Sequence, residues 1–222
     1  NFEGVVIVCA NFDDPDVTEL MNSEIPVVTI DYVHHNCTAV TSNNIQGMED
    51  LVKYIYSQGH RKIAYIHGQE GSSVTRDRLA SFYRTIDELG LEIPDTYVRS
   101  ADYLETKGSA KQTKELLNLE DPPTCIIYPD DTSLIGGRNV IIEMGLRIPR
   151  DISVAGYDGT MISQLLYPKL TTIRQNTEMI GSEAATRLIG TIEKPRTTLV
   201  ERVVIEGSLV PGQSVGAIQP KG

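Results

Sequence analysis

Short apolar runs punctuate this chain: "GVVIVCA" (4–10), "PVVTID" (26–31), "KIAYIHG" (62–68), "TCIIYP" (124–129) and "ISVAGYD" (152–158). They are rich in Val and Ile, and continuous rather than alternating. A strand covered on one face alternates apolar and polar residues; a strand covered on both faces, as in a parallel sheet, has no polar side to show. Parallel neighbours need a crossover, and helical patterns fill the gaps. Ile45, Met48, Leu51, Val52 and Ile55 share one helix face, with Asn43 or Asn44 as N-cap and Gly59 as the stop. Leu79, Phe82, Ile86 and Leu89 repeat the pattern up to Gly90. Leu134, Val140, Ile141 and Met144 predict another helix, interrupted at Gly136 and Gly137 and closed at Gly145; a last one runs near Glu178 to Ile189. The alternation predicts an α/β fold of repeated βα units in parallel sheets. Two helix exits, "LGLEIPD" (89–95) and "MGLRIPR" (144–150), resemble each other, which suits repeated units. The closing "TTLVERVVIEGSLV" (197–210) reads as a long strand or strand pair that must cross or edge the sheets.

With 222 residues the chain can bury a large core in one or two domains. No apolar run approaches the roughly 20 residues that span a bilayer, so no membrane partner is expected. The net charge of −10 repels phosphate backbones, so nucleic acid would have to be met by a basic module outside this segment. Cys9, Cys37 and Cys125 are odd in number and lack paired spacing. They predict buried free thiols in a reducing, cytoplasmic compartment. The chain enters a strand within a few residues of Asn1, without an initiator Met, and is expected to lack its N-terminal part.

Most enzyme signatures are missing: no Gly-rich phosphate loop, dinucleotide fingerprint, zinc-protease helix or nucleophile elbow occurs. His34, His35, His60 and His67 are not grouped at ligand spacing, and no metal or cofactor is expected. His34 and His35 are expected in a solvated loop. His60 follows Gly59, where a cation would suit the end of a helix dipole. What remains is a set of polar groups at the strand ends, the edge where open α/β sheets bind ligands. Asp31 ends "PVVTID"; Ser72, Ser73 and Arg78 follow "KIAYIHG"; Tyr103 follows "YVRSADY"; Asp130 and Asp131 end "TCIIYP"; Asp158 ends "ISVAGYD". Each Asp taken alone is equally well explained as a turn former or helix cap. Arg78 lies inside a helix pattern, where capping does not account for it; a solvated charge is its alternative. Carboxylates that accept, a guanidinium fork that donates, hydroxyls that do both and one aromatic face suit a neutral, polyhydroxylated ligand. A sugar phosphate fits poorly beside Asp31, Asp130 and Asp158.

"QGHRKIAYIHG" (58–68), "SSVTRDRLASF" (72–82), "IPRDISVAGYDG" (148–159) and "YPKLTTIRQ" (167–175) together resemble the effector-binding domain of the LacI/GalR family of bacterial transcription regulators. The resemblance runs in order over essentially the whole chain. It implies a type I periplasmic-binding-protein fold: two Rossmann-like lobes with parallel sheets, joined by three crossovers. The first lobe, incomplete, would hold residues 1–41 and 177–200, and the second 42–176 and 201–222. The family's helix-turn-helix, hinge helix and first two βα units have no counterpart here. Carried over by position, the resemblance makes Arg78 and Asp158 sugar-gripping residues and Tyr103 a stacking aromatic. Asp31 becomes an acidic contact on the first lobe, Ser72 and Ser73 a polar loop, and Gln175 a cleft-lining crossover residue. Where the family often has Asn-Asp, this chain has Asp130-Asp131, and Asp130 can only accept. Ile135, Ile162, Leu165 and Leu166 match homodimer interface positions, with ordinary core as their alternative.

The implied function is a sugar-responsive regulator: effector binding shifts the lobe arrangement and thereby alters the affinity for operator DNA held by an upstream helix-turn-helix. The alternative binding module is a secreted sugar-binding protein feeding a transporter. The enzyme alternative is a glycosidase using paired carboxylates such as Asp131 and Asp158.

Overall fold

The computed structural model describes residues 3–8, 14–194 and 199–218; Cys9 and the start of "TTLVERVVIEGSLV" lie outside the described residues. In chain order the elements are β1 (Val5–Val8), α1 (Pro15–Met21), β2 (Val27–Ile30), β3 (Thr38–Ser42), α2 (Asn44–Ser57), β4 (Ile63–His67), α3 (Ser73–Glu88) and β5 (Val98–Ser100). There follow α4 (Thr106–Leu117), β6 (Cys125–Ile127), α5 (Asp131–Glu143), β7 (Ser153–Ala155), α6 (Met161–Leu165), β8 (Thr172–Arg174), α7 (Thr177–Glu193), β9 (Arg202–Ile205) and β10 (Ser208–Val210). The chain divides into two compact units, Asn1–Asn44 with Asn176–Gly207 and Ile45–Gln175 with Ser208–Gly222, and passes between them three times. The division expected near residue 200 falls at Gly207 instead, because β9 completes the first unit's sheet.

In the first unit the sheet order is β1-β2-β3-β9, with every pairing parallel. Helix α7 lays Ile180 and Ala184 onto Val28, Val40 and Ile205, with Val6, Ile30 and Leu188 around them. The second unit carries a parallel sheet of order β5-β4-β6-β7 and a small antiparallel pair, β8 with β10. So the closing stretch is indeed two strands, but they do not pair with each other: β9 ends the first sheet and β10 joins β8. Nothing between Glu206 and Ser208 forms a hairpin, and the chain changes unit there.

The second sheet shows why its strands read as unbroken apolar runs. Along β4, Ile63 and Tyr65 belong to one core cluster, with Met48, Leu51, Ile55, Phe82 and Tyr157, while Ala64 and Ile66 belong to the other, with Leu116, Leu134 and Ile141. Successive side chains point to opposite faces, and both faces are covered. Each fully buried Leu, Ile or Phe here contributes roughly 1.5–3 kcal/mol. Cys37 and Cys125 are buried free thiols.

Two local expectations change. Helix α5 is unbroken through Gly136 and Gly137. A Cβ at Gly136 would come within 1.9 Å of the Thr106 carbonyl oxygen, and one at Gly137 within 2.1 Å of the Tyr128 hydroxyl. The glycines are there for close approach of α4 and of a tyrosine, at the usual helix-propensity cost of about 1 kcal/mol each. His60 is not a solvated cation: it is 2% exposed, with Nδ1 2.9 Å from Thr124 Oγ1 and Nε2 3.0 Å from the Gly216 carbonyl oxygen. Burial depresses its pKa, so the neutral ring clasps the C-terminal segment to the start of β6. Among the described residues no helix is long and apolar enough to cross a membrane, and no cluster of three or more His, Cys, Asp or Glu could hold a metal ion.

Candidate functional site

The carboxyl ends of β4, β5, β6 and β7 bring most of the sequence-predicted residues to one edge of the second unit. Arg78 lies on the second turn of α3, 3% exposed. Its Nη1 donates to the Pro129 carbonyl at 2.9 Å, and its Nη2 lies 3.7 Å from Asp158 Oδ1. The guanidinium carbon sits 3.4 Å from the centroid of the Tyr157 ring and 6.0 Å from that of Tyr103. Burial works against the charge, but Tyr157, Tyr103 and Asp158 outweigh it, and the guanidinium is held above its ordinary pKa. A desolvated cation over an aromatic face is worth about 2 kcal/mol.

Asp158 is unusual in backbone and side chain alike. Its φ of 95° is a conformation that Asp adopts only at a cost, and Gly159 follows at 65°. Gln175 Nε2 donates to its Oδ1 at 2.5 Å, and the Gln175 backbone N–H donates to its carbonyl at 3.2 Å. Desolvation raises the Asp158 pKa, opposed by Arg78 and Gln175. The carboxylate, its side chain 27% exposed, is paired on one side and aimed by a strained turn. Tyr103 completes the corner: its hydroxyl is 2.8 Å from Thr75 Oγ1, and its ring lies where a Cβ on Gly68 would clash at 2.1 Å.

The remaining predicted residues divide. Asp130 is 1% exposed and its oxygens are engaged within the chain: Oδ1 accepts from the Ser133 N–H at 2.7 Å, and Oδ2 from Ser133 Oγ and the Leu104 N–H, each at 2.8 Å. It caps α5 and ties the Tyr103 loop to it. Ser72 caps α3 by accepting from the Thr75 N–H, and Ser73 is the buried first residue of that helix. Asp31 belongs to the first unit, at the end of β2 with φ 57°, its Oδ1 3.4 Å from the Ser42 N–H. Of the apolar set, Ile135, Ile162 and Leu166 are half-buried, with Leu166 packed against the second core cluster, whereas Leu165 is 74% exposed beside Met161 and Tyr167.

Asp131 is the structural counterpart of Asp158. It is fully buried; Oδ2 accepts from the Thr160 N–H at 2.8 Å and hydroxyl at 3.0 Å, and Oδ1 from Thr172 Oγ1 at 2.8 Å. Desolvation pushes its pKa up to about 6 despite those donors. Two residues escaped the reading of the sequence: Tyr157, which stacks under Arg78, and Thr75, which anchors Tyr103. An aromatic directly before the carboxylate of a strand-end motif was the available signal for the first.

Among protein families, residues 52–215 match the periplasmic binding protein-like domain. The chain is 29% identical over 199 residues to the HTH-type transcriptional repressor ExuR of Bacillus subtilis strain 168, covering 88% of this chain and 60% of that protein. It is 28% identical over 194 residues to the HTH-type transcriptional repressor PurR of Aliivibrio salmonicida, covering 86% and 58%. The chain thus spans about six-tenths of the length of these curated relatives. A LacI transcriptional regulator structure from Bacillus cereus subsp. cytotoxis superposes with a TM-score of 0.90 at 25% identity, covering 98% of this chain and 77% of that one. The transcriptional regulator CelR in complex with cellobiose superposes at 0.88 with 26% identity, covering 96% and 65%. The sheets and the matched residues agree: this chain belongs to the periplasmic binding protein-like domain family, in the form of the effector-binding domain of LacI-family regulators.

Proposed function

We propose that this chain is the effector-sensing part of a LacI-type transcriptional repressor that responds to a neutral, polyhydroxylated small molecule, a sugar. The observation that carries the reading is the Arg78–Asp158 pair: a buried guanidinium on an aromatic face, 3.7 Å from a half-buried carboxylate held in a strained turn. A donor fork beside an acceptor suits vicinal hydroxyls, and the Tyr103 ring offers a face for sugar C–H groups. The CelR–cellobiose complex, a structural neighbour with a sugar, supports the ligand class. Arg78, Asp158, Tyr103 and Gln175 are the direct contacts on the second unit, and Asp31 is the contact on the first. Asp130, Ser72 and Ser73 act through the loops and helix starts that they hold.

Ligand favours one arrangement of the two units by its differential affinity, on the order of 1–3 kcal/mol of coupling. That shift passes to operator DNA through a helix-turn-helix part such as the named relatives carry. The protein works as a cytoplasmic homodimer, with Leu165 and its neighbours Ile162, Leu166 and Ile135 at the contact. Curated relatives that are repressors support the regulator over a transporter-feeding sugar-binding protein. A glycosidase reading loses its second carboxylate, because the Asp131 oxygens are held by Thr160 and Thr172.

The test is a thermal-shift screen against D-ribose, D-glucose, D-galactose and cellobiose, since binding to the native state raises the melting temperature. Stabilisation by one sugar, lost in Arg78→Ala and in Asp158→Asn, is expected. An undiminished shift in both variants would overturn the site.

A further inference from the structure

The Tyr65 hydroxyl is buried and meets no hydrogen-bond partner among the described residues. Tyr65 is the middle residue of β4 and 0% exposed. Its ring packs 5.2 Å from that of Phe82 on α3 and 6.1 Å from that of His67, two residues along the same strand face. Phe82 and Arg78 are four residues apart and share one face of α3. The phenol therefore lies on the face of β4 that α3 covers, within electrostatic reach of Arg78, Tyr103 and Tyr157.

A buried hydroxyl without a partner is a net cost to the folded state, and Phe would fill the same space without it. Tyr65 packs on Phe82 and shares its core cluster with Met48, Ile86 and Ile127, so packing alone asks for a phenylalanine. Buried polar atoms that persist without an internal partner point to a partner that arrives later. Here the groups overhead already define what arrives: the donor fork of Arg78, the acceptor of Asp158 and the aromatic face of Tyr103.

We propose that Tyr65 is a specificity-determining residue of the effector site, whose hydroxyl is satisfied only when a polyol binds and brings a hydroxyl group into the corner above it. This rests on the sugar-site reading. The bound state, not the free one, gains that hydrogen bond, so Tyr65 favours ligands with a hydroxyl at the deepest position over their deoxy analogues. A site built to hydrogen-bond a hydroxyl rejects an analogue lacking it far better than an apolar pocket rejects an added group.

Tyr65→Phe separates this role from a structural one, because the two predict opposite signs. The full chain is compared as wild type, Tyr65→Phe and Asp158→Asn by melting temperature without ligand and by calorimetric titration with the best sugar of D-ribose, D-glucose, D-galactose and cellobiose. Under the proposal Tyr65→Phe melts at the wild-type temperature or above it, and binds that sugar about 10-fold more weakly. The matching deoxy sugar then binds wild type and Tyr65→Phe equally. A Tyr65→Phe protein that melts lower and binds the sugar as wild type does would overturn the proposal. Weakened binding in Asp158→Asn alone would leave the site standing and remove Tyr65 from it. Unchanged binding in both variants, or no sugar of the panel bound by wild type, would remove the site reading itself and this inference with it.

Discussion

Asp131 and Asp158 end neighbouring strands of one sheet, and in the sequence they look alike: each follows a Val- or Ile-rich run and an aromatic. In the structure they are opposites. Asp131 sits at the start of α5 with both oxygens taken by Thr160 and Thr172, three donors at 2.8–3.0 Å. Asp158 stands on a backbone of φ 95°, with Gln175 on Oδ1 and Arg78 at the longer distance of 3.7 Å. One carboxylate closes a structural joint. The other is placed at a corner with an arginine and the rings of Tyr103 and Tyr157. Two carboxylates at one sheet edge divide their work by how completely the chain itself satisfies them, a property that residue type does not carry.

The largest break in this comparison is expected at Asp131. Asp131→Ala removes the acceptor of three donors, one fully buried and two partly so, and unties α5 from the Thr160 and Thr172 segments. The expected cost is about 3 kcal/mol, which for a chain of this size lowers the melting temperature by roughly 6–12 °C. A loss below about 1 kcal/mol in denaturant unfolding would show that Asp131 is not the joint described. Asp130→Ala comes next: it removes the α5 cap and the anchor of the Leu104 N–H, and about 2 kcal/mol is expected. Because the Tyr103 loop hangs on that anchor, sugar affinity should fall as well, and unchanged affinity would detach the loop from the site. Asp158→Asn should cost the least stability, about 1 kcal/mol, since Asn keeps the Gln175 contact and tolerates the positive φ. Its binding should fall the most of the three. If Asp158→Asn destabilised the fold more than Asp131→Ala, the division of roles would be reversed.

Much of this was legible beforehand, and the limits have physical causes. The both-face-buried strands and the α2 and α3 periodicities gave the parallel sheets, because burial writes itself into residue type. The strand ends gave Arg78, Asp158 and Tyr103 as candidates, because polar residues soon after apolar runs stand out; Gln175 was implied only by the family resemblance. Which Asp is satisfied internally was not legible: that depends on Ser133, Thr160 and Thr172, separated in sequence and joined only by the fold. The glycines of α5 misled for the same reason. Gly136 marks the approach of the Thr106 backbone, a tertiary contact, and not a weak point in its own helix. His60 misled because its neighbours Thr124 and Gly216 are distant in sequence. Assigning 201–207 to the second lobe failed because a strand's sheet is decided by its pairing partner, here β3.

The smallest expected effect is in the pH dependence, where Asp131 and His60 pull in opposite directions. Burial raises the Asp131 pKa to about 6, above its unfolded value near 4, so the folded state holds the proton more tightly. Its contribution grows as pH falls from 7 to 5, by about 1 kcal/mol. Burial lowers the His60 pKa, so the unfolded state takes the proton more readily. Its contribution is complete above an unfolded value near 6.5 and is lost as pH falls below that. Carboxylates held at lowered pKa, such as Asp151 at about 2, unfold near 4 and add little in this window. The wild-type melting temperature should therefore rise less between pH 7 and pH 5 than that of a variant without His60. His60→Gln, which removes the opposing group, should melt about 2–4 °C higher at pH 5 than at pH 7. A His60→Gln protein whose melting temperature stays level or falls over that interval would show that the Asp131 carboxyl is not raised. Asp131 would then be an ordinary ionised carboxylate, and what separates it from Asp158 would be reduced to its hydrogen bonds.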